Sequence, residues 1–282
     1  MMLRILFALL LGGYLLLIVP FSKQMQNRPD MVKLGYLPDA KVLKLAVGEH
    51  ASLLAQYAVL KVLFYFGSVV QNVDDRPEHK PEYFNMFQTM QTAVKLDPYN
   101  QDAYYFTQAT FTWELQRIKE VNNLLDFGMR YRTWDPQLPF FAGFNAAYFL
   151  KDYQLAAKYM KKAAELSNDP LYINLSARYF YEARESDVGI RFLSAMIDGA
   201  KDPRVRKLYQ LRKEALFAVN ELTDAVRKFK ELHGREPAVL QDLVVSGIIT
   251  ALPKDPYGGQ FYIDERGFIR TTSKFAFGSV SK

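Results

Sequence analysis

Three histidines and no cysteine are what this 282-residue chain offers toward metal and nucleophile chemistry. His50, His79 and His233 lie far apart in sequence, and none falls in a pattern that brings a second ligand or base to it. No H-E-x-x-H, G-x-S-x-G or G-x-x-x-x-G-K-[ST] string occurs. His50 follows Glu49 at a helix start and could cap it; His79 stands in a polar loop; His233 adjoins Gly234, where a cation favours the helix dipole. Gly258-Gly259 precedes a strand and has no helix N-terminus behind it, so it is a poor phosphate cradle. The lack of cysteine excludes disulfides, thiolate metal sites, c-type haem attachment and acylation of a cysteine, and is compatible with an oxidising compartment. An enzyme would need an unexpected cluster of acid and base groups in a pocket. The expectation is a protein without catalytic residues, cofactor or metal.

Recognition is then the chemistry to look for. Half of the residues are hydrophobic, with 21 Phe, 18 Tyr and 2 Trp, a large aromatic share for a helical chain. Stacked helices with bulky interfaces would absorb much of it; a carbohydrate platform is the other use. Formal net charge is +6, spread along the chain, so specific nucleic-acid binding is not implied. The densest basic patch, Arg204, Arg206, Lys207, Arg212 and Lys213, reads as a solvated helix face ahead of a docking site for an acidic partner.

The elements that would position a recognition surface are marked by Asp-Pro pairs. Asp97-Pro98, Asp135-Pro136, Asp169-Pro170 and Asp202-Pro203 follow one another at 38, 34 and 33 residues. That is the length of a helix-turn-helix unit of the tetratricopeptide kind. Asp caps a helix N-terminus and Pro fits the first turn, so each pair can open a new unit. The clearest unit runs from Pro139 to Leu166: Gly143, Ala146 and Ala147 allow close approach, Lys151-Asp152-Tyr153 makes the turn, and Ala156, Met160 and Ala163 form one packing stripe. The next places Ala177 and Phe180 on its first helix and Gly189, Leu193 and Met196 on its second. A last pair, Arg204 to Val219 and Leu222 to His233, closes the array. At the other end, a long apolar helix from Glu49 carries Leu53, Leu54, Tyr57, Leu60, Phe64 and Val69. Glu49, His50, Gln56 and Lys61 interrupt it, which favours a buried array helix over a second membrane span. Its partner is expected over Pro81 to Leu96, with Phe84, Phe87, Met90 and Val94 on one side, beyond a loop from Gln71 to Pro81.

Ile5 to Phe21 is an uncharged run of 17 residues between Arg4 and Lys23. At ~1.5 Å per residue it gives about 26 Å, close to bilayer thickness once Met1 to Leu3 are added and Arg4 snorkels. A cleaved signal peptide is the rival, but no small-residue cleavage site follows, so an uncleaved anchor is expected. The positive-inside rule is close to undecided here; a short N-terminal tail before a large domain places the bulk of the chain outside the cytoplasmic membrane.

After the array the composition changes. Gly234 reads as a helix C-cap, Ala238 to Val245 as a short helix, and Phe261 to Ile263 and Phe268 to Thr272 as strands around a Glu265-Arg266-Gly267 turn.

Two resemblances go beyond these readings. The segments LGYLPDAKVLKLAVGEHASLLAQYAVLKVLFYFG, LDPYNQDAYYF and LPFFAGFNAAYFLKDYQLAAKYMKKAAEL, in that order, resemble a group of membrane-anchored tetratricopeptide proteins of the proteobacterial envelope, over about residues 1 to 220. This implies fold and location more than function. The string GREPAVLQDLVVSGIITALPKDPYGGQFYID resembles the C-terminal region of type II secretion pseudopilins and related pilin-like proteins, over about 50 residues. The anchor lacks their processing site with Phe-Thr-Leu-x-Glu, so the chain is not itself expected to be a pseudopilin. Calcium near this loop is implied by the resemblance, with Asp255 and Asp264 available; a lone pair of carboxylates is far from an EF-hand-like ligand set, and turn-forming Asp is the preferred reading.

The expected architecture is therefore mainly α: a transmembrane signal anchor over 1–22, a tether over 23–44, a tetratricopeptide-like solenoid over 45–220 and a pseudopilin-like α+β module with a hairpin over 221–282. The expected role is a single-pass scaffold of the bacterial inner membrane, with its bulk in the periplasm, recruiting an envelope protein or peptide segment. First helices of such arrays line the concave surface. By the family pattern that surface takes Phe141, Asn145 and Tyr148, then Asn174, Arg178 and Tyr181, whose amides would bond a peptide backbone while Arg178 forks onto a carboxylate. Packing is the competing role for Tyr148 and Tyr181. The alternative function is a component of a secretion or pilus-like assembly, docking through its C-terminal module.

Overall fold

The computed structural model describes residues 2–26, 33–71 and 81–273. The chain is mainly helical, with one small antiparallel sheet near its C-terminus. It divides into two compact units, Met1–Ala103 and Tyr104–Lys282.

Unit 1 begins with α1 (Met2–Gln26), which covers the uncharged run expected to be an anchor. It continues with α2 (Ala40–Val47), α3 (Ala51–Gln71) and α4 (Tyr83–Leu96). Among the described residues, the stretch Ala40–Val70 is long and apolar enough to cross a membrane, judged by length and composition alone. α3 and α4 pack together through Ala55, Ala58, Val59, Val62 and Tyr65 on one side and Met86, Phe87, Met90 and Val94 on the other, all buried. The small Ala55 and Ala58 let the helices approach. The Tyr65 hydroxyl accepts the Glu82 N–H at 2.9 Å, and the Asn100 amide donates to Gln56 at 2.9 Å, fastening α3 at two points. Two expectations are corrected here. Leu53, Tyr57, Leu60 and Phe64 face outward, because α3 is apolar on both sides and its other face meets α4. Phe84 is also exposed, its place on the α4 stripe being taken by Met86. Most of the expected Gln71 to Pro81 loop, residues 72–80, lies outside the described residues.

The division between the units falls inside α5 (Gln101–Trp113). Unit 2 then carries α6 (Ile118–Tyr131), α7 (Gln137–Asn145), which runs on into a π-helical turn at Ala146–Leu150, α8 (Tyr153–Ser167), α9 (Pro170–Glu182), α10 (Ser186–Gly199) and α11 (Pro203–His233). From α6 to α11 each helix packs against its neighbours in sequence.

The turns recur along with the helices. In all four Asp-Pro pairs the Asp carboxylate accepts the backbone N–H two residues on: Tyr99 at 2.9 Å, Gln137 at 2.9 Å, Leu171 at 2.7 Å and Arg204 at 2.7 Å. At Asp135, Asp169 and Asp202 this satisfies an N–H that the opening helix would leave unpaired. The expectation for Asp97 is corrected: it ends α4, and α5 is opened by Asn100, whose side chain accepts the Ala103 N–H at 3.1 Å. Between these starts, Gln116, Lys151 and Arg184 each adopt positive φ. At the first two the same long bond closes the turn, Arg117 N–H to the Phe111 carbonyl and Asp152 N–H to the Ala146 carbonyl.

Packing inside unit 2 depends on small residues. Ala156, Met160 and Ala163 are fully buried, as their spacing predicts. At Gly128 a Cβ would stand 2.7 Å from the Tyr104 ring, and at Gly189 it would stand 2.7 Å from Leu216 and 3.0 Å from Phe180. Helix axes at these points are therefore closer than any larger residue permits.

α11 is one helix of 31 residues, where two were expected. No Gly or Pro interrupts it, and Leu216, Val219, Leu222, Ala225 and Phe229 continue one buried stripe through Asn220-Glu221. Gly234 ends it in the left-handed conformation, its N–H bonded to the Lys230 carbonyl. A short helix α12 (Gln241–Val245) and the strands β1 (Phe261–Ile263) and β2 (Ile269–Thr271) follow. The strands pair with Tyr262 opposite Arg270. The hairpin is not separate from the helices: Ile269, Leu240 and Leu243 share one core with Phe180, Tyr181, Leu216, Val219 and Phe229.

Candidate interaction surface

α7 and the turn that continues it carry a row of aromatic side chains that reaches the surface of unit 2. Phe140, Phe144 and Tyr148 recur every four residues and form a row of rings; Phe144 and Tyr148 stack at 5.4 Å with planes 8° apart. From α5, Trp113 meets Tyr148 at 5.7 Å and Phe149 edge-on at 5.1 Å. From α9, Tyr172 meets Phe140 at 5.1 Å. Phe141 extends the row sideways to Tyr105 at 5.6 Å. Three successive odd-numbered helices thus contribute to one aromatic strip. Its Trp113 and Tyr148 end is open, each side chain being 53% exposed. The Lys151 ammonium lies 5.3 Å from the centre of the Tyr148 ring, a cation–π contact at the strip's edge.

Polar groups at either end hold the strip in place. Near Trp113, the buried side chains of Gln108, Asn145 and Asn122 form an amide network: Asn145 donates to Gln108 at 2.8 Å and Asn122 at 2.9 Å, and accepts from Gln108 at 3.1 Å. Asn122 in turn donates to the Ala142 carbonyl at 3.3 Å, tying α6 to α7. At the opposite end, Tyr105 donates to the buried carboxylate of Asp135, which also pairs with Arg132 at 2.9 Å. Burial, reinforced by the Asp135 charge, pushes the Tyr105 phenol up to about 12. Burial likewise raises Tyr172, with Asp169 and Asp135 adding to it.

The six residues expected on the concave surface divide. Phe141 and Tyr148 belong to the aromatic strip, and Arg178 is exposed. Exposure of the other three is corrected. Asn145 has no exposed surface and is held by the amide network; Asn174 is buried; Tyr181 is 5% exposed and covered by the C-terminal hairpin. Its hydroxyl accepts the Thr271 N–H at 3.2 Å, and Arg270 lies 5.5 Å from its ring. Arg270 is in turn clamped by Glu182 at 2.8 Å and Asp264 at 3.1 Å. Trp113, Phe140, Phe144 and Tyr172 were missed by sequence reasoning. The i, i+4, i+8 aromatic spacing of Phe140, Phe144 and Tyr148 is the signal that could have found most of them.

No cluster suited to a metal ion occurs among the described residues. His50 and His233 belong to different units, His233 stacking on Phe229 at 4.2 Å; His79 lies outside the described residues. Asp255 and Asp264 form turns. Asp255 accepts the Tyr257 N–H at 2.8 Å, the Ser273 hydroxyl at 2.7 Å and the Thr271 hydroxyl. Asp264 accepts the N–H groups of Arg266 and Phe268 and the Arg270 guanidinium. Partial burial pushes the Asp264 carboxyl up, but those hydrogen bonds, led by Phe268, outweigh it and hold the group below its ordinary value.

Comparison with protein-family models, with curated proteins and with solved structures found no match to this chain.

Proposed function

We propose that this protein is a membrane-anchored scaffold of the bacterial envelope, a tetratricopeptide-like solenoid with its bulk in the periplasm, that recruits a partner and performs no chemistry itself. What supports the solenoid is the recurrence of the Asp-Pro turns and of the positive-φ turns at Gln116, Lys151 and Arg184. What supports the anchor is the unbroken helix over the uncharged N-terminal run.

The observation that carries the recruiting role is the open aromatic strip. Exposed Trp and Tyr rings in contact with one another, as Trp113 and Tyr148 are, are the groups that dominate binding energy when an extended segment covers them. With Asn145 committed inside the protein, the partner is recognised chiefly by apolar and aromatic side chains rather than by amide bonds to its backbone. Lys151, at the edge of the strip, offers a cation for an acidic flank.

The test is photo-crosslinking from position 148 in the full-length protein in membranes, followed by capture with and without Trp113→Ala/Tyr148→Ala. A single discrete adduct, and at least a tenfold loss of its capture by the double variant with helicity unchanged, supports the reading. Adducts that ignore the substitutions sink it and favour docking through the pseudopilin-like C-terminal module.

A further inference from the structure

Unit 1 leaves one long apolar surface uncovered. Leu53, Tyr57, Leu60 and Phe64 recur at i, i+4, i+7 and i+11 along α3, and all four are exposed. On a helix of about 100° per residue they fall within about 60° of arc and extend roughly 16 Å along the axis. The opposite face of α3 is buried against α4 at Ala55, Val59 and Val62, and is held by the bonds of Tyr65 to Glu82, just before α4, and of Gln56 to Asn100, just after it. α3 is therefore a two-sided helix: one apolar face is consumed by the protein and an equally apolar one is presented outward.

We propose that this outward stripe rests in the lipid–water interface of the membrane, with α3 lying along the bilayer plane. The inference rests on the membrane-anchored reading above, and three observations select lipid as the occupant. First, α1 ends at Gln26 and α2 begins at Ala40, so the intervening chain can hold the start of α2, eleven residues before α3, no more than about 50 Å from the end of the anchor helix. Second, charge around the stripe is mostly positive. Lys41 and Lys44 alternate with the exposed Val42 and Leu45 on α2, Lys61 flanks the stripe on α3, and Glu49 is the single acidic residue between Ala40 and Gln71. That suits anionic headgroups. Third, Tyr57 and Phe64 place aromatic rings where an interfacial helix favours them. The stretch Ala40–Val70 passes the length and composition test for a span, yet spanning would strip α4 from the buried face and break the bonds of Gln56 and Tyr65. Lying in the interface satisfies both faces at once.

The absence of cysteine makes a direct test simple. Full-length protein carrying a single nitroxide at Leu53→Cys, Leu60→Cys or Phe64→Cys, or at the exposed Phe217→Cys as a water reference, is reconstituted into vesicles of zwitterionic and anionic lipid. Collision with oxygen is compared with collision with a water-soluble nickel chelate. The expected result is an inversion: oxygen dominates at 53, 60 and 64, to a similar degree at all three, and nickel dominates at 217. Nickel dominance at all four positions in protein that resists carbonate extraction overturns the interface and leaves the anchor standing. Depth that changes steadily from 53 to 64 indicates a spanning helix and overturns it. Shielding from both reagents with spin–spin broadening indicates a second copy and overturns it as well. Release of the protein by carbonate defeats the anchor reading and the inference with it.

Discussion

Tyr148, in the π-helical turn that continues α7, and Tyr181, near the end of α9, occupy corresponding places in alternate helices, and the protein treats them in opposite ways. Each stands three residues before a turn residue of positive φ, Lys151 for one and Arg184 for the other. Tyr148 is 53% exposed and stacked in the aromatic strip, whereas Tyr181 is 5% exposed beneath the hairpin. The residues one turn earlier invert the pattern, since Asn145 is buried in an amide network and Arg178 is exposed. Equivalent backbone position thus does not decide whether a side chain is exposed or buried. What decides the role is whether another element arrives to cover it. At α7 nothing among the described residues of unit 2 closes the strip at Tyr148; at α9 the hairpin does.

The two tyrosines should differ most in what their loss costs. Tyr181→Ala is expected to cost about 3–4 kcal/mol through lost burial, and Tyr148→Ala no more than about 1 kcal/mol. Chemical unfolding of the full-length protein in detergent, followed by helical circular dichroism, reads both; equal costs would mean that the hairpin does not sit on Tyr181. Next in size is the amide pair. Asn145→Ala strands polar groups of Gln108 and Asn122 in the interior and should cost about 2–3 kcal/mol, while Arg178→Ala should stay within about 0.5 kcal/mol. Ala163→Leu, on the closely packed face of α8, should cost about 1–3 kcal/mol through overpacking. An unchanged unfolding midpoint would show that α8 presents a different face.

Two smaller effects sharpen the contrast through pH. The raised Tyr105 phenol favours the neutral form in the folded state, so its stabilisation is full below the ordinary phenol value of 10.0 and is lost as pH climbs toward about 12. Tyr105→Phe should flatten stability over that alkaline window. Asp264 works in the other direction at the hairpin. Its carboxyl lies below the ordinary 3.8, so its contribution is present above that value and is lost as pH falls through the lower folded one. Asp264→Asn should remove this acid-side slope; an identical slope in the variant would remove Asp264 from the hairpin's support.

Much of the local structure was legible because its causes are local. Each Asp-Pro turn, the Gly234 cap and the β1–β2 hairpin is set by residues within a few positions of one another. Faces and covers were harder to read. α3 is apolar on two sides, so its periodicity could not say which side meets α4. The polar Asn220-Glu221 reads as a break in sequence, yet the apolar stripe of α11 passes through it. Asn145 reads as a surface amide because its partners are 23 and 37 residues away. The aromatic strip draws on three helices, and only its share on α7 has a spacing visible in one dimension.

The unbroken α11 has a consequence for how the chain can vary in length. A helix behaves as a screw, and one residue inserted after Val219 would turn everything beyond it by about 100° and advance it by about 1.5 Å. Leu222, Ala225 and Phe229 would rotate out of the shared core, and the hairpin could no longer bring Arg270 to Glu182 while keeping Thr271 on Tyr181. Seven residues, close to two full turns, nearly restore the phase but displace the downstream elements by about 10 Å. Length in this part of the molecule is therefore quantised by helical phase, and its rigid register leaves almost no step small enough to be tolerated.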